Sequence, residues 1–166
     1  MRQNPVYLLL GGNLGHREAT LQQARKLIES RIAPIEVASQ VYETAPWGVT
    51  DQPSFLNQVL MLRTHLHPID ILELVQKIEQ YLGRERRERW GAREIDVDIL
   101  FYGELILQMP DLVIPHPRLQ ERRFTLLPLV EIAPTFIHPK FKKTISELLA
   151  ECIDDSKVNV YNESNS

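Results

Sequence analysis

The sequence predicts an α+β fold with a ferredoxin-like β-α-β-β-α-β core sheet and extra C-terminal strands and helices. Three observations predict it. Apolar segments switch between strand and helix periodicity in that order, and turn and cap residues fall between them. The 166 residues, 43% hydrophobic and 25% charged, suit one globular core. Residues 1–161 are expected to form that single domain, with 162–166 a polar C-terminal tail.

Each element has a local reason. Pro5 to Leu10 is an apolar run closed by Gly11-Gly12, which predicts a buried strand ending in a tight turn. Leu21, Ala24, Leu27 and Ile28 recur at helical spacing, with Glu18 in the first turn and Pro34 marking the end. Ile35 to Thr44 alternates as a strand, weakened at Ala38 and Ser39. Ala45 to Pro53 is rich in turn formers, and Phe55 to Arg63 is the next strand. Pro68 suits a first helical position, Ile71, Leu74, Val75, Ile78 and Leu82 belong to an apolar stripe, and Gly83 is expected to cap the C-terminus. Ile95 to Phe101 alternates as the fourth strand. Two helices are then expected to pack on one face of one sheet. Beyond this core, a strand is predicted over Glu104 to Gln108, a short helix over Arg118 to Leu127 stopped by Pro128, and a final helix over Thr144 to Cys152. Lys157 to Tyr161 suits an edge strand.

Composition narrows the function. A net charge of -3 argues against a dedicated nucleic-acid binder. The apolar run Val6 to Leu10 is far too short to span a bilayer, so no membrane partner is expected. Cys152 is the one thiol, which rules out an internal disulfide and fits a cytoplasmic location.

Chemistry concentrates around the fourth strand. Alternation puts Asp96 and Asp98 on one face while Ile95, Val97 and Ile99 enter the core. The two Cβ atoms should stand ~6.5 Å apart, and the charges then repel by roughly 2.5 kcal/mol at an effective dielectric of about 20. A hard cation such as Mg²⁺ offsets that repulsion, since it takes one or two carboxylates and fills its other positions with water and phosphate oxygens. Arg84, Arg86, Arg87, Arg89 and Arg93 fall just before the acids, and guanidinium forks suit the same phosphates. Taken alone, the acids have a solvated strand face as the lesser alternative, and the arginines suit a solvated loop better than a site. Their adjacency favours a polyphosphate site. Trp47 and Trp90 stand in loops, where they could stack on a planar ring or pack on the sheet. His116, held between Pro115 and Pro117, suits a fixed phosphate contact. Gly11-Gly12-Asn13-Leu14-Gly15 lacks the Lys-Ser/Thr of a phosphate loop and reads as a turn.

The run Arg89-Trp90-Gly91-Ala92-Arg93-Glu94-Ile95-Asp96-Val97-Asp98-Ile99-Leu100 resembles the signature of the 6-hydroxymethyl-7,8-dihydropterin pyrophosphokinases of folate biosynthesis. Further pieces occur in that family's order: Tyr42-Glu43-Thr44-Ala45-Pro46, Asp51-Gln52-Pro53-Ser54-Phe55-Leu56-Asn57, Ile114-Pro115-His116 and Arg122-Arg123-Phe124. The resemblance implies that the pterin hydroxyl attacks the β-phosphorus of ATP and AMP leaves. It also implies two Mg²⁺ ions bridging the phosphates to Asp96 and Asp98, with Arg84 and Arg93 as catalytic residues. By the same implication Gln76, Glu79, Arg86, Trp90, Ile99, His116 and Arg122 border ATP. Phe55 and Phe124 would sandwich the pterin, with Asn57 and the stretch Thr44, Pro46 and Trp47 reading its polar edge. Pro117 stands where a Tyr often follows the His, and the arginine loop is about one residue shorter than in some relatives. A monomer is expected.

Two other classes share parts of the pattern. A Mg²⁺-dependent phosphohydrolase needs the same acids but uses water as nucleophile. An RNA-recognition module shares the element order, yet Phe55 to Met61 lacks its basic-Gly-aromatic run and two acids would repel RNA.

Overall fold

The structure is a computed structural model that describes residues 3–12, 17–44, 54–86 and 95–161. Its centre is strand β1 (Asn4–Gly12), flanked by β4 (Phe55–Thr64) and β5 (Asp96–Tyr102), both antiparallel to it. Beyond β4 lie β2 (Ile35–Ala38) and β3 (Tyr42–Thr44), and β8 (Val158–Val160) adds an edge to β3. The strand order is β5-β1-β4-β3-β8, with β2 also on β4. A separate hairpin joins β6 (Leu107–Met109) to β7 (Leu112–Ile114).

Both faces of the sheet are covered, because β1 and β4 are apolar on both sides. On one face Val6, Leu8 and Leu10 meet Leu60, Val97 and Ile99 beneath helices α1 (Arg17–Arg31) and α2 (Pro68–Arg86). On the other, Tyr7, Leu9, Val59 and Met61 meet Leu126, Leu129, Ile145 and Leu148 of helices α3 (Arg123–Ile132) and α4 (Ile145–Glu151). Each fully buried leucine contributes about 1.5–3 kcal/mol. The register of β5 against β1 shifts between Tyr7 and Leu8, where Leu100 is the extra residue. That bulge lets Leu100 and Phe101 both enter the second core, while Ile95, Val97 and Ile99 stay in the first.

The expected core elements are all present, and so are the final helix and the edge strand. Thr144 caps α4 with a reciprocal box: its hydroxyl accepts from Glu147 N–H, and the Glu147 carboxylate accepts from Thr144 N–H. Several boundaries differ from the sequence reading. Gly11 and Gly12 are paired inside β1 and form no turn there. Residues 35–44 split into two strands because Ser39 breaks the ladder. Its hydroxyl takes the Val59 N–H at 3.0 Å, and Gln58 Nε2 donates to its carbonyl at 2.7 Å.

Gly83 does not end α2, which runs on to Arg86. A glycine costs a helix only about 1 kcal/mol, less than the buried stripe Ile71, Val75, Ile78 and Leu82 supplies. Pro128 likewise lies inside α3, which is preceded by a 3-10 turn at Leu119–Glu121. Burying Leu126 and Leu129 completely outweighs the ~3 kcal/mol that an internal proline costs. The strand expected at 104–108 is the later pair β6 and β7, turned at Pro110-Asp111.

His138 closes the second core from the loop before α4. It is 1% exposed, stacks on Phe141 at 4.4 Å, and its Nδ1 accepts N–H bonds from Lys140 (3.1 Å) and Phe141 (3.2 Å). Burial, helped by the Lys140 charge, pushes its pKa down from 6.5 to about 4. The folded state therefore binds fewer protons than the unfolded chain between these values. The stability this group contributes is complete above pH 6.5 and is lost as pH falls towards 4. Melts across this window should show the loss in the natural protein and a shallower slope in His138→Asn. Equal slopes would show that His138 is not the titrating group.

Candidate active site

The second core, beneath α3 and α4, does not reach the end of the sheet where β1 finishes. On the α3 side, the last row across the strands runs Asp96, Gly11, Asn57, Tyr42, each opposite the next in register. The preceding row places Asp98 opposite Leu9, and Leu9 opposite Val59. Side chains alternate along each strand, so the two acids share a face with Asn57 and with the Phe55–Thr44 pair beyond it. Asp96 is exposed, Asp98 half-buried, Asn57 buried and Phe55 44% exposed.

Glycine at position 11 is what makes this row possible. A Cβ there would come within 2.6 Å of Asn57 Nδ2. Without one, the Asn57 amide lies over the strand and Nδ2 donates to the Leu10 carbonyl at 3.4 Å. Its Oδ1 is left to accept from elsewhere. The neighbouring Thr44 hydroxyl is buried with no hydrogen-bond partner among the described residues, a condition that costs of order 1–3 kcal/mol where no partner is supplied.

Helix α3 and the segment before it form the facing wall. The Arg122 guanidinium stands 5.7 Å from the Phe124 ring centroid, so cation and ring lie side by side. Glu131, near the far end of α3, accepts from Tyr42 Oη at 2.7 Å and from Gln40 N–H at 3.1 Å, which ties the helix to β3. Burial first, then the bond to Glu131 and its charge, push the Tyr42 hydroxyl up to about 12.

His116 follows a cis Ile114–Pro115 bond, and its N–H donates to the Leu100 carbonyl at 3.0 Å. Burial pushes its pKa below the ordinary value; Asp98 opposes this, and Arg122 and Arg118 reinforce it. The neutral ring accepts the Arg118 N–H at Nδ1 (3.2 Å), so Nε2 carries the proton and is a donor. On its other side, Leu72, Val97, Ile99, Leu112 and His116 line a cavity of about 260 Å³ between α2 and the β6–β7 hairpin. Glu79 reaches from α2 to accept the Val97 N–H at 2.7 Å, between the two aspartates, and Gln76 is exposed one turn earlier.

Of the residues singled out in the sequence, the structure brings together Asp96, Asp98, His116 and Arg122 at one end of the face. Thr44, Phe55 and Asn57 gather at the other, and Phe124 stands beside Arg122 on the facing wall. Arg84 and Arg86 stand in the last turn of α2. Arg93, Trp90, Pro46 and Trp47 lie outside the described residues. Sequence reasoning missed Gly11, Tyr42 and Glu131. For Gly11 the available signal was a glycine closing an apolar strand run, at its penultimate position.

Among the described residues no third His, Cys, Asp or Glu completes a protein-only metal cage. Two carboxylates on an open face instead fit a cation that brings phosphate and water as its other ligands.

An α+β fold with paired acids on an open sheet face is the class of protein this defines. The family model for 7,8-dihydro-6-hydroxymethylpterin-pyrophosphokinase (HPPK) matches residues 7–134. A 2-amino-4-hydroxy-6-hydroxymethyldihydropteridine pyrophosphokinase of Aquifex aeolicus is 42% identical over 146 residues, covering 88% of this chain and 91% of that protein. The enzyme of the same description from Bacillus subtilis is 45% identical over 130 residues, 78% of each chain. The chain belongs to the HPPK family. Its reaction is transfer of the pyrophosphoryl group of ATP to 6-hydroxymethyl-7,8-dihydropterin, with release of AMP, in folate biosynthesis. The phosphohydrolase and RNA-module alternatives find no support in these matches.

Among solved structures, wild-type Plasmodium falciparum HPPK-DHPS superposes with a TM-score of 0.75 at 17% identity, over 90% of this chain. The chain spans 45% of that longer one, and the likeness carries the fold alone.

The row geometry makes a direct prediction. In Gly11→Ala the new methyl must displace the Asn57 amide, and such overpacking costs typically 1–3 kcal/mol. Denaturant unfolding should show that loss, together with a shifted Asn57 side-chain amide signal by NMR. Unchanged stability and an unmoved signal would show that the site tolerates a Cβ.

Proposed function

We propose that the open sheet face is the reaction site, with the polyphosphate over Asp96 and Asp98 and the pterin over Asn57 and Phe55. The observation that carries this reading is the register Asp96, Gly11, Asn57, which sets the acids and the pterin wall two strands apart, ~10 Å. Asp96 and Asp98 would hold two Mg²⁺ ions. When bound, Mg²⁺ would neutralise charge on the phosphates and polarise the β-phosphorus.

The chain's own groups do the rest. His116, within electrostatic reach of Asp98 and Arg122, is suited to donate Nε2–H to a phosphate oxygen, and Arg122 adds a guanidinium fork. Arg84 and Arg93 are proposed to stabilise charge on the transferred group, and Arg86 and Trp90 to border the nucleotide. The cavity at Ile99, lined by Leu72, Val97 and Leu112 with Asp98 and Asp111 at its edge, suits the adenine ring, with Gln76 on the adjoining helix. Glu79 spends one carboxylate oxygen on Val97 N–H, which supports a role in fixing the Asp-bearing strand as well as bordering ATP.

At the other end, Phe55 and Phe124 are read as the rings that stack on the pterin, with Pro46 and Trp47 closing the polar edge. Asn57 Oδ1 is suited to accept a pterin N–H, and the Thr44 hydroxyl, buried without a partner among the described residues, supports a polar ligand edge beside it. The pterin hydroxyl oxygen then bonds to the β-phosphorus, the bond to the α,β-bridging oxygen breaks, and AMP leaves with that oxygen. Positioning and charge stabilisation suffice for such a transfer.

Both ends of the site belong to one chain, which supports a monomer acting without nucleic acid or membrane. No helix of the described residues is long and apolar enough to cross a membrane. A cytoplasmic location rests on the lone cysteine. The core is read as ferredoxin-like because the last strand of the β-α-β-β-α-β run pairs with the first, and the first with the third.

Chemistry and stability should separate at the acids. Asp96→Asn or Asp98→Asn should lower turnover by orders of magnitude, several kcal/mol of positioning and charge stabilisation. Without metal the same change relieves a repulsion of at most about 2.5 kcal/mol, so the variants should melt at the same temperature or slightly higher in EDTA. Earlier melting with retained turnover would show the acids to be structural.

A further inference from the structure

Helix α3 carries the proposed pterin ring at its second residue, yet it has no cap of its own. Its N-cap is Arg122, which makes no side-chain cap bond. The first N–H groups of a helix have no partner within it and favour a nearby negative charge. Here the partner comes from 31 residues downstream. Asp154 Oδ2 accepts the Arg123 N–H at 3.0 Å. The other oxygen, Oδ1, accepts the Ser156 N–H at 2.9 Å and the Ser156 hydroxyl as well, so the carboxylate is held at both oxygens. Burial pushes the Asp154 carboxyl up, but the bonds from Ser156 and Arg123 outweigh it and hold it below the ordinary carboxylate range.

The same segment then turns into the sheet. Val158 pairs with Thr44, Val160 with Tyr42, and Tyr161 N–H donates to the Val41 carbonyl at 2.8 Å. One short stretch of chain, 154–161, therefore links the first turn of α3 to strand β3. These are the two elements that carry Phe124 and Thr44.

We infer that Asp154 is a positioning residue for the pterin site: by capping α3 from the C-terminal strap it fixes where Phe124 stands relative to β3. This rests on the reading of Phe124 as the ring that stacks on pterin. The aromatic ring has few rotamers and cannot follow a shifted backbone, whereas the long Arg122 side chain can reach again for a phosphate. Pterin binding should thus depend on Asp154 more than nucleotide binding does.

A double-mutant cycle with Asp154→Ala and Phe124→Ala, read as pterin affinity by calorimetry in the presence of a non-hydrolysable ATP analogue, tests this. Asp154→Ala alone should weaken pterin about five- to tenfold, the size of a lost cap, and the ATP analogue less than about twofold. In the Phe124→Ala background, the same change should add less than about twofold, because the two residues act through one contact. Ser156→Ala, which leaves the cap bond but removes the hydroxyl holding Oδ1, should give the same pattern at smaller size and serves if Asp154→Ala does not fold. An equal pterin loss in both backgrounds, or a lower melting temperature with unchanged pterin affinity, overturns the inference. Phe124→Ala with unchanged pterin affinity overturns the stacking assignment, and the inference with it.

Discussion

The pairing of β1 with β5 on one side and β4 on the other is the constraint on which the rest depends. Both cores and the active face are written onto these three strands by alternation. Leu8 and Leu10 enter one core while Leu9 enters the other. A slip of one residue would exchange these sets and drive Asp96 and Asp98 beneath α2, where two uncompensated carboxylates cannot be accommodated. Hydrophobic burial on two faces thus fixes, as a by-product, where the acids stand. The Leu100 bulge serves the same end, since it lets β5 change its facing partners only after the Asp-x-Asp segment has passed.

The division between the covered and the open parts of the sheet explains how stability and chemistry coexist. Tyr7, Phe101 and Phe136 pack ring against ring under α3 and α4, and this mass holds the helices on the sheet. Two rows beyond Tyr7, past Leu9, the strand carries Gly11, and the apolar layer gives way to polar groups. The Asn57 amide and the Thr44 hydroxyl are buried there, the hydroxyl without a partner among the described residues, an arrangement that weakens the protein slightly and suits a polar ligand. Glu131 at one end of α3 and Asp154 at the other anchor the helix to the sheet through polar contacts, so its position does not rest on packing alone.

Much of this was legible in the sequence, and the exceptions have physical reasons. The order of the core elements, the acid pair on one face, and the final helix from Thr144 follow from periodicity and short-range chemistry. Gly11-Gly12 read as a turn because glycine frees the backbone, whereas here it is the missing Cβ that matters, against a side chain 46 positions away. Pro128 and Gly83 read as helix ends because their local penalties are visible and the burial that overrides them is not. The Ser39 break was foreshadowed by weak strand residues, but its bond to Val59 is a tertiary contact. Asp154 carries no local signal, since a cap supplied from 31 residues away leaves no pattern around the helix it serves.

The central claim is that the acids and the pterin wall form one continuous site across the sheet. Paramagnetic relaxation tests it most directly, with Mn²⁺ and a non-hydrolysable ATP analogue bound and the proton signals of added pterin observed by NMR. With the metal at Asp96 and Asp98 and the pterin over Asn57, the separation is ~10 Å. The pterin signals should then broaden strongly in the natural protein and recover in Asp96→Asn. Broadening no greater than that caused by Mn²⁺ and nucleotide without protein would contradict the account.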